Sequence, residues 1–158
     1  MICPTIQALL MIQKAVVSDY AQIIEVWERS VRATHYFLKE EDIQFFKPLI
    51  LNQYLDAVRL FCTRNTNNDI TGFLGLSDDK IEMLFIDPVV HGQGLGKELV
   101  NFAIHQHGIR KVDVNEQNEQ AVGFYKHLGF QVVNRTPLDS MGKPFPILSM
   151  EIDLSTAI

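Results

Sequence analysis

A chain of 158 residues that is 47% hydrophobic can bury one domain-sized core, and its composition excludes disordered, collagen-like and disulfide-stapled classes. The formal net charge of -5 argues against a surface for phosphate backbones, which ordinarily needs a basic excess, so no nucleic-acid partner is expected. Cys3 and Cys62 lie far apart without metal-ligand spacing, and the five histidines form no ligand pattern with Cys, Asp or Glu. Free thiols in a reducing cytoplasm, and no metal, are the expectation.

The start, "MICPTIQALLM", is apolar but carries no basic residue ahead of its apolar run and is too short to span a bilayer. Residues 1–10 read as an N-terminal extension, 11–158 as a single domain, and no membrane partner is expected. "MIQKAV" (11–16) reads as a strand, Ser18 as the cap of the next helix, and Tyr20, Ile23, Ile24, Trp27 and Val31 as its buried stripe. A second helix spans roughly 39–54. "VRLFCT" (58–63), "ITGFLGL" (70–76) and "KIEMLFID" (80–87) are strands joined by the polar turns "RNTNND" and "SDD", an antiparallel meander. On the third strand, strict alternation puts Glu82 on one face with Leu84 and Ile86. After Pro88 come a helix with Leu95, Leu99, Phe102 and Ala103 on one face, a strand at 109–114, and a helix with Ala121, Phe124, Tyr125 and Leu128 on one face. Gly129 stops that helix, and strands at 130–135 and 147–152 follow. The order β α α β β β α β α β β is that of an α+β domain with a mixed sheet.

The informative stretch is "FIDPVVHGQGLGKELVNFAI" (85–104), where a strand ends, three glycines fall within five residues and a helix begins. Unpaired backbone N–H groups and the helix dipole favour an anion there, and glycine lets the backbone approach it. The pattern is not a P-loop, because His91 occupies the position of its first glycine and Glu98 follows Gly96-Lys97. Nor is it the dinucleotide pattern GxGxxG, since the third glycine falls on Lys97 or Leu99. A glycine turn used only for close packing stays open at this point.

"NEQNEQAVGFYKHLGF" follows the strand at 109–114. Together with "HGQGLG" it resembles the two signature motifs of the GNAT N-acetyltransferase superfamily, over roughly residues 11–152. Gly94 and Gly96 match the glycines of the motif (Gln/Arg)-x-x-Gly-x-(Gly/Ala), with His91 where Gln or Arg is usual. Asn118, Ala121, Phe124, Tyr125, Gly129 and Phe130 match Asn-x-x-Ala-x-x-Phe-Tyr-x-x-x-Gly-Phe throughout. The segments "SVRATHYFL" (30–38) and "GKPFPIL" (142–148) are similar to those of a bacterial group of small acetyltransferase-like proteins.

The resemblance implies the GNAT fold, a mostly antiparallel sheet flanked by helices with two central strands splayed apart, and acetyl transfer from acetyl-CoA to a primary amine in a ternary complex. It assigns the pyrophosphate to the turn of His91, Gly92, Gln93, Gly94, Leu95, Gly96 and Lys97, and the pantetheine arm to the strand backbone at Leu84, Phe85 and Ile86. Pro88 fits a strand that leaves its neighbour and opens that slot. Asn118 is both helix cap and cofactor contact. Tyr125 is the donor to the departing sulfur. With reference pKa values of about 10 and 8.5, full proton transfer is uphill by roughly 2 kcal/mol, so a hydrogen bond is the expected form of help. Glu82 is the candidate general base, and His35 and Tyr36 face the acceptor, with Asp139, Lys143 and Pro144 as further lining. The acceptor is a small-molecule or peptide amine, and a homodimer is among the assemblies left open. Two rivals stand beside this reading: a non-enzymatic acyl-CoA sensor, and a different nucleotide binder using the same turn.

Overall fold

The computed structural model describes residues 12–155, so the expected extension over 1–10 lies outside the described residues. Within them, seven strands form one sheet in the order β1-β2-β3-β4-β5-β7-β6. They are β1 Ile12–Lys14, β2 Arg59–Arg64, β3 Ile70–Leu76, β4 Lys80–Ile86, β5 Lys111–Asn115, β6 Phe130–Thr136 and β7 Ile147–Ile152. The helices are α1 Tyr20–Thr34, α2 Glu40–Leu49, α3 Leu95–His107 and α4 Glu119–His127. Every neighbouring pair of strands is antiparallel except β4 and β5. The α+β architecture with a mostly antiparallel sheet is therefore the one the sequence implies.

The pleat sorts the core into two halves, because successive strand residues point to opposite faces. Phe73, Met83 and Phe85 pack with Ile23, Ile24, Trp27 and Val31 of α1 on one face. Leu74, Leu76, Leu84 and Ile86 pack with Leu99, Val100 and Ala103 of α3 and Tyr125 of α4 on the other. Ser18 does not cap α1. A short 3-10 turn, Val17–Asp19, leads into the helix, and the Asp19 carboxylate accepts from the Val16 N–H (2.9 Å) and pairs with Arg64 (2.6 Å).

Two irregularities of β4 shape the site. Gly75 faces Met83 but Leu76 faces Ile81, so Glu82 is an extra residue without a partner on β3. Such a bulge resets the alternation: Ile81 joins the core half that holds Leu84 and Ile86, and Glu82 is exposed. The period of two is thus interrupted between Ile81 and Met83. The second irregularity is the pairing with β5, which is confined to Lys80↔Lys111 and Ile81↔Val112. Beyond these, β5 pairs with β7 alone and the two central strands diverge. A salt bridge from Lys80 Nζ to Asp113 Oδ2 (2.9 Å) closes the base of the fork. The divergence begins well before Pro88, so Pro88 does not cause it. Pro88 instead starts a short 3-10 turn, Pro88–Val90, in which Asp87 Oδ1 accepts from the Val89 N–H (3.1 Å).

Candidate active site

A cavity of about 400 Å³ opens beside β4, beyond the end of its pairing with β5. Leu84, Phe85 and Ile86 form one wall, and their backbone has no partner strand on the β5 side. The turn before α3 and the first turn of that helix form the floor, with Asn118, Phe124 and Tyr125 of α4 opposite. Ser30, Thr34 and His35, at the end of α1, close the remaining side.

The three glycines have two separate reasons. Gly92 (φ +81°) and Gly94 (φ +80°) are left-handed, a conformation costly for residues with a side chain. Gly96 is inside the helix, where a Cβ would come within 3.3 Å of Phe124 Cζ, so it allows α4 to lie close against α3. The first helical bond of α3 runs from the Glu98 N–H to the Gly94 carbonyl (3.1 Å), which leaves the N–H groups of Leu95, Gly96 and Lys97 without helical acceptors. The N–H groups of Gly92, Gln93 and Gly94 likewise donate to no described backbone group. This row of donors lies at the positive end of the helix dipole, which suits an anion such as a pyrophosphate. His91 Nε2 donates to the Ile86 carbonyl (3.1 Å), tying the turn to the end of β4. Gln93 is exposed and its side chain is outside the cavity wall, so its contribution is its backbone N–H.

Tyr125 is only 5% exposed, and its ring meets Phe124 and Phe130 edge-on. Burial pushes the pKa of its hydroxyl well above the ordinary tyrosine range. The group therefore stays protonated at neutral pH and can donate a hydrogen bond, while giving up the proton becomes harder still. Asn118 caps its helix as expected, and its other amide atom meets His35. Its Oδ1 caps α4 by accepting from the Ala121 N–H (3.2 Å), and its Nδ2 turns toward His35 Nε2 at 3.4 Å.

His35 is held from its other nitrogen. Thr34 Oγ1 donates to the Ser30 carbonyl (2.8 Å) and lies 2.8 Å from His35 Nδ1. A hydroxyl whose proton is committed to a carbonyl can only accept from the ring, which places the imidazole proton on Nδ1 and leaves the Nε2 lone pair toward the cavity. Burial lowers the His35 pKa to about 4, so the ring is neutral at physiological pH.

Other expected residues fall elsewhere. Glu82 is exposed on the bulge, and Tyr36 is 86% exposed; neither lines the cavity. Asp139 organises its own loop by accepting from the Met141 and Lys143 N–H groups, and Lys143 Nζ sits 4.2 Å over the Phe45 ring. Of that segment it is Phe145 that is buried, near Phe37 and Phe46. Sequence reasoning missed Ser30, Thr34 and Gln120, which also line the cavity. The adjacent Thr34-His35 pair at a helix end was the available signal for the first two.

Comparison with known proteins agrees with this geometry. Residues 33–153 match the family described as the Acetyltransferase (GNAT) domain. The peptidyl-lysine N-acetyltransferase YjaB of Escherichia coli is 41% identical over 129 residues, covering 82% of this chain and 87% of that protein. The solution structure of the apo form of the same E. coli protein superposes with a TM-score of 0.82, covering 89% of this chain and 95% of that one. The PaiA N-acetyltransferase of Thermoplasma acidophilum, solved in complex with coenzyme A, shares the fold at 20% identity with a TM-score of 0.69, over 89% of this chain and 97% of that one. A forked sheet, a left-handed glycine turn opening a helix and a buried tyrosine across from it are thus found in a chain that belongs to the GNAT acetyltransferase family.

Proposed function

We propose that this acetyltransferase moves the acetyl group of acetyl-CoA to a primary amine by direct attack in a ternary complex, and that the acceptor is the ε-amine of a peptidyl lysine. The observation that carries the reading is the fork. It brings a row of free backbone donors, the hydroxyl of a buried tyrosine and a neutral histidine to one cavity. The lysine acceptor is favoured by two relatives at 41% and 25% identity, both peptidyl-lysine N-acetyltransferases of E. coli. The same reading puts the protein in the cytoplasm, where acetyl-CoA is available.

In this reading the N–H groups of residues 92–97 hold the pyrophosphate, and the open edge of β4 at Leu84, Phe85 and Ile86 holds the pantetheine arm in extended form. Backbone donors of β4 polarise the thioester carbonyl, while Tyr125 donates a hydrogen bond to the sulfur as negative charge grows there. Alignment of both reactants in one cavity supplies much of the rate. The lysine ammonium, with a pKa of about 10.4, must shed a proton before attack, at a cost of roughly 4–5 kcal/mol at pH 7.

A mass-spectrometric assay with acetyl-CoA and a panel containing a lysine peptide, an α-amine peptide and a polyamine tests the reading. Acetylation of the lysine side chain is the expected result. Acetyl-CoA binding without transfer to any amine would favour the sensor instead.

A further inference from the structure

Attack by the amine releases a proton, and the protein has to accept it near the reacting nitrogen. The carboxylate that the sequence offered for this task, Glu82, is exposed on the bulge of β4, and no aspartate or glutamate lines the cavity. The titratable groups that do line it are His35, His91, Lys97 and Tyr125. His91 uses Nε2 on the Ile86 carbonyl, Lys97 is exposed beside the phosphate donors, and Tyr125 is a donor. His35 is left as the group with an inward lone pair.

We propose that His35 Nε2 is the proton acceptor for the attacking amine, with Thr34 as the residue that fixes its tautomer. The inference rests on the acetyltransferase reading of the cavity and names the base within it. Three observations carry it. His35 lines the cavity from the junction between α1 and α2. The chain His35 Nδ1–H to Thr34 Oγ1–H to the Ser30 carbonyl, with both contacts at 2.8 Å, selects the tautomer whose lone pair is on Nε2. The ring is held in position by Phe37 and Phe85, at centroid distances of 5.3 and 6.1 Å. A base oriented by a second group through its other nitrogen is the arrangement that nucleophile activation requires. Asn118 Nδ2, at 3.4 Å, is a long contact that an amine N–H can displace.

The step balances as follows. The neutral amine nitrogen bonds to the thioester carbon and the carbon–sulfur bond breaks. As the nitrogen acquires positive charge its N–H hydrogen-bonds to His35 Nε2, and the proton passes by way of that nitrogen to solvent, the ring pKa of about 4 keeping the imidazolium transient. The sulfur leaves hydrogen-bonded to Tyr125 and takes its proton from solvent. The products are the amide and the free thiol, with no net change in the protein. The groups that surround His35 are the hydroxyl of Thr34, the rings of Phe37 and Phe85, and the amide of Asn118; none of them carries charge.

The test uses His35→Ala, Thr34→Val and Glu82→Gln in the full chain, with acetyl-CoA affinity by calorimetry and turnover on a lysine peptide. His35→Ala is expected to bind acetyl-CoA within about twofold of wild type and to lose about 10²-fold or more in kcat, the usual scale of general-base catalysis. Added imidazole should restore part of the lost rate. Thr34→Val should lose less, and Glu82→Gln should keep kcat within about threefold, since a surface carboxylate does not reach the proton. The proposal is overturned by a His35→Ala kcat within about threefold of wild type, or by a loss that imidazole leaves unchanged and that parallels lost acetyl-CoA affinity. A large fall confined to Glu82→Gln overturns it too. Wild-type protein that binds acetyl-CoA but acetylates no amine refutes the enzyme reading itself and the base assignment with it, an outcome distinct from the others.

Discussion

Replacing Tyr125 by Phe removes one oxygen and leaves the packing unchanged. The ring is held edge-on between Phe124 and Phe130, at centroid distances of 5.1 and 5.5 Å, and those contacts survive in phenylalanine. The hydroxyl is not a buried unpaired group and bonds no described side chain, so no protein partner is orphaned by its loss. The stability of the folded chain should therefore change by less than about 0.5 kcal/mol. In the proposed reaction the same oxygen donates to a sulfur that is gaining a full negative charge. A hydrogen bond to a charged group contributes about 1.5–3 kcal/mol, which corresponds to a fall in kcat of roughly 10- to 150-fold. Acetyl-CoA affinity should be nearly unchanged, because the sulfur carries no charge before attack. The assay is thiol release at saturating acetyl-CoA with a lysine peptide, next to urea denaturation of both proteins. A kcat within twofold of wild type, at equal stability, would refute the donor role. A large loss of stability would refute the claim that the hydroxyl has no structural partner.

Gly96→Val drives side-chain carbon into Phe124, already 3.3 Å from where a Cβ would be; stability should fall by about 1–3 kcal/mol in urea denaturation, with weaker acetyl-CoA binding as α4 moves off α3. Asp87 is buried, caps the turn at Val89 and accepts from Arg29 at 2.8 Å, so Asp87→Ala should cost about 2–4 kcal/mol and weaken acetyl-CoA binding by loosening the approach to the glycines. The pH dependence of stability should carry the mark of His35. Its folded pKa of about 4 is below the unfolded value of about 6.5, so the neutral ring's contribution is complete above pH 6.5 and lost as the pH falls toward 4, at most about 3 kcal/mol. Denaturation midpoints between pH 7 and 4 should fall more steeply for wild type than for His35→Gln.

Most of the fold was legible in the sequence because strand and helix periodicities are local. The strands, the helices and their order agree with the observed elements, and the two motifs were sufficient to locate the turn and the tyrosine. Gly92 and Gly94 could be read as left-handed, but the reason for Gly96 could not, since it depends on Phe124 from a distant helix. The bulge at Glu82 was not legible because a bulge is a property of two strands. The extra residue shows only when Gly75 and Leu76 are set against Met83 and Ile81. Pro88 was linked to the fork because proline is visible in a sequence, whereas the pairing that ends after Ile81 and Val112 is not. His35 and Tyr36 are neighbours in sequence with opposite fates. The last turn of α1 turns one inward to Thr34 and Asn118, and leaves the other 86% exposed. Asp19 displaced Ser18 as the organiser of the first turn because its longer reach lets it hold Val16 and Arg64 together.

The central claim is that the row of N–H groups from Gly92 to Lys97 holds acetyl-CoA, and calorimetric titration of acetyl-CoA into wild type and Gly94→Glu tests it most directly. The variant places a carboxylate among the donors proposed to hold a pyrophosphate and forces a side chain onto a backbone at φ +80°, while the space around that position is open. Saturable binding by wild type, abolished in a variant that remains folded, is the predicted result. Absence of binding by folded wild type, or equal binding by the variant, would contradict the account.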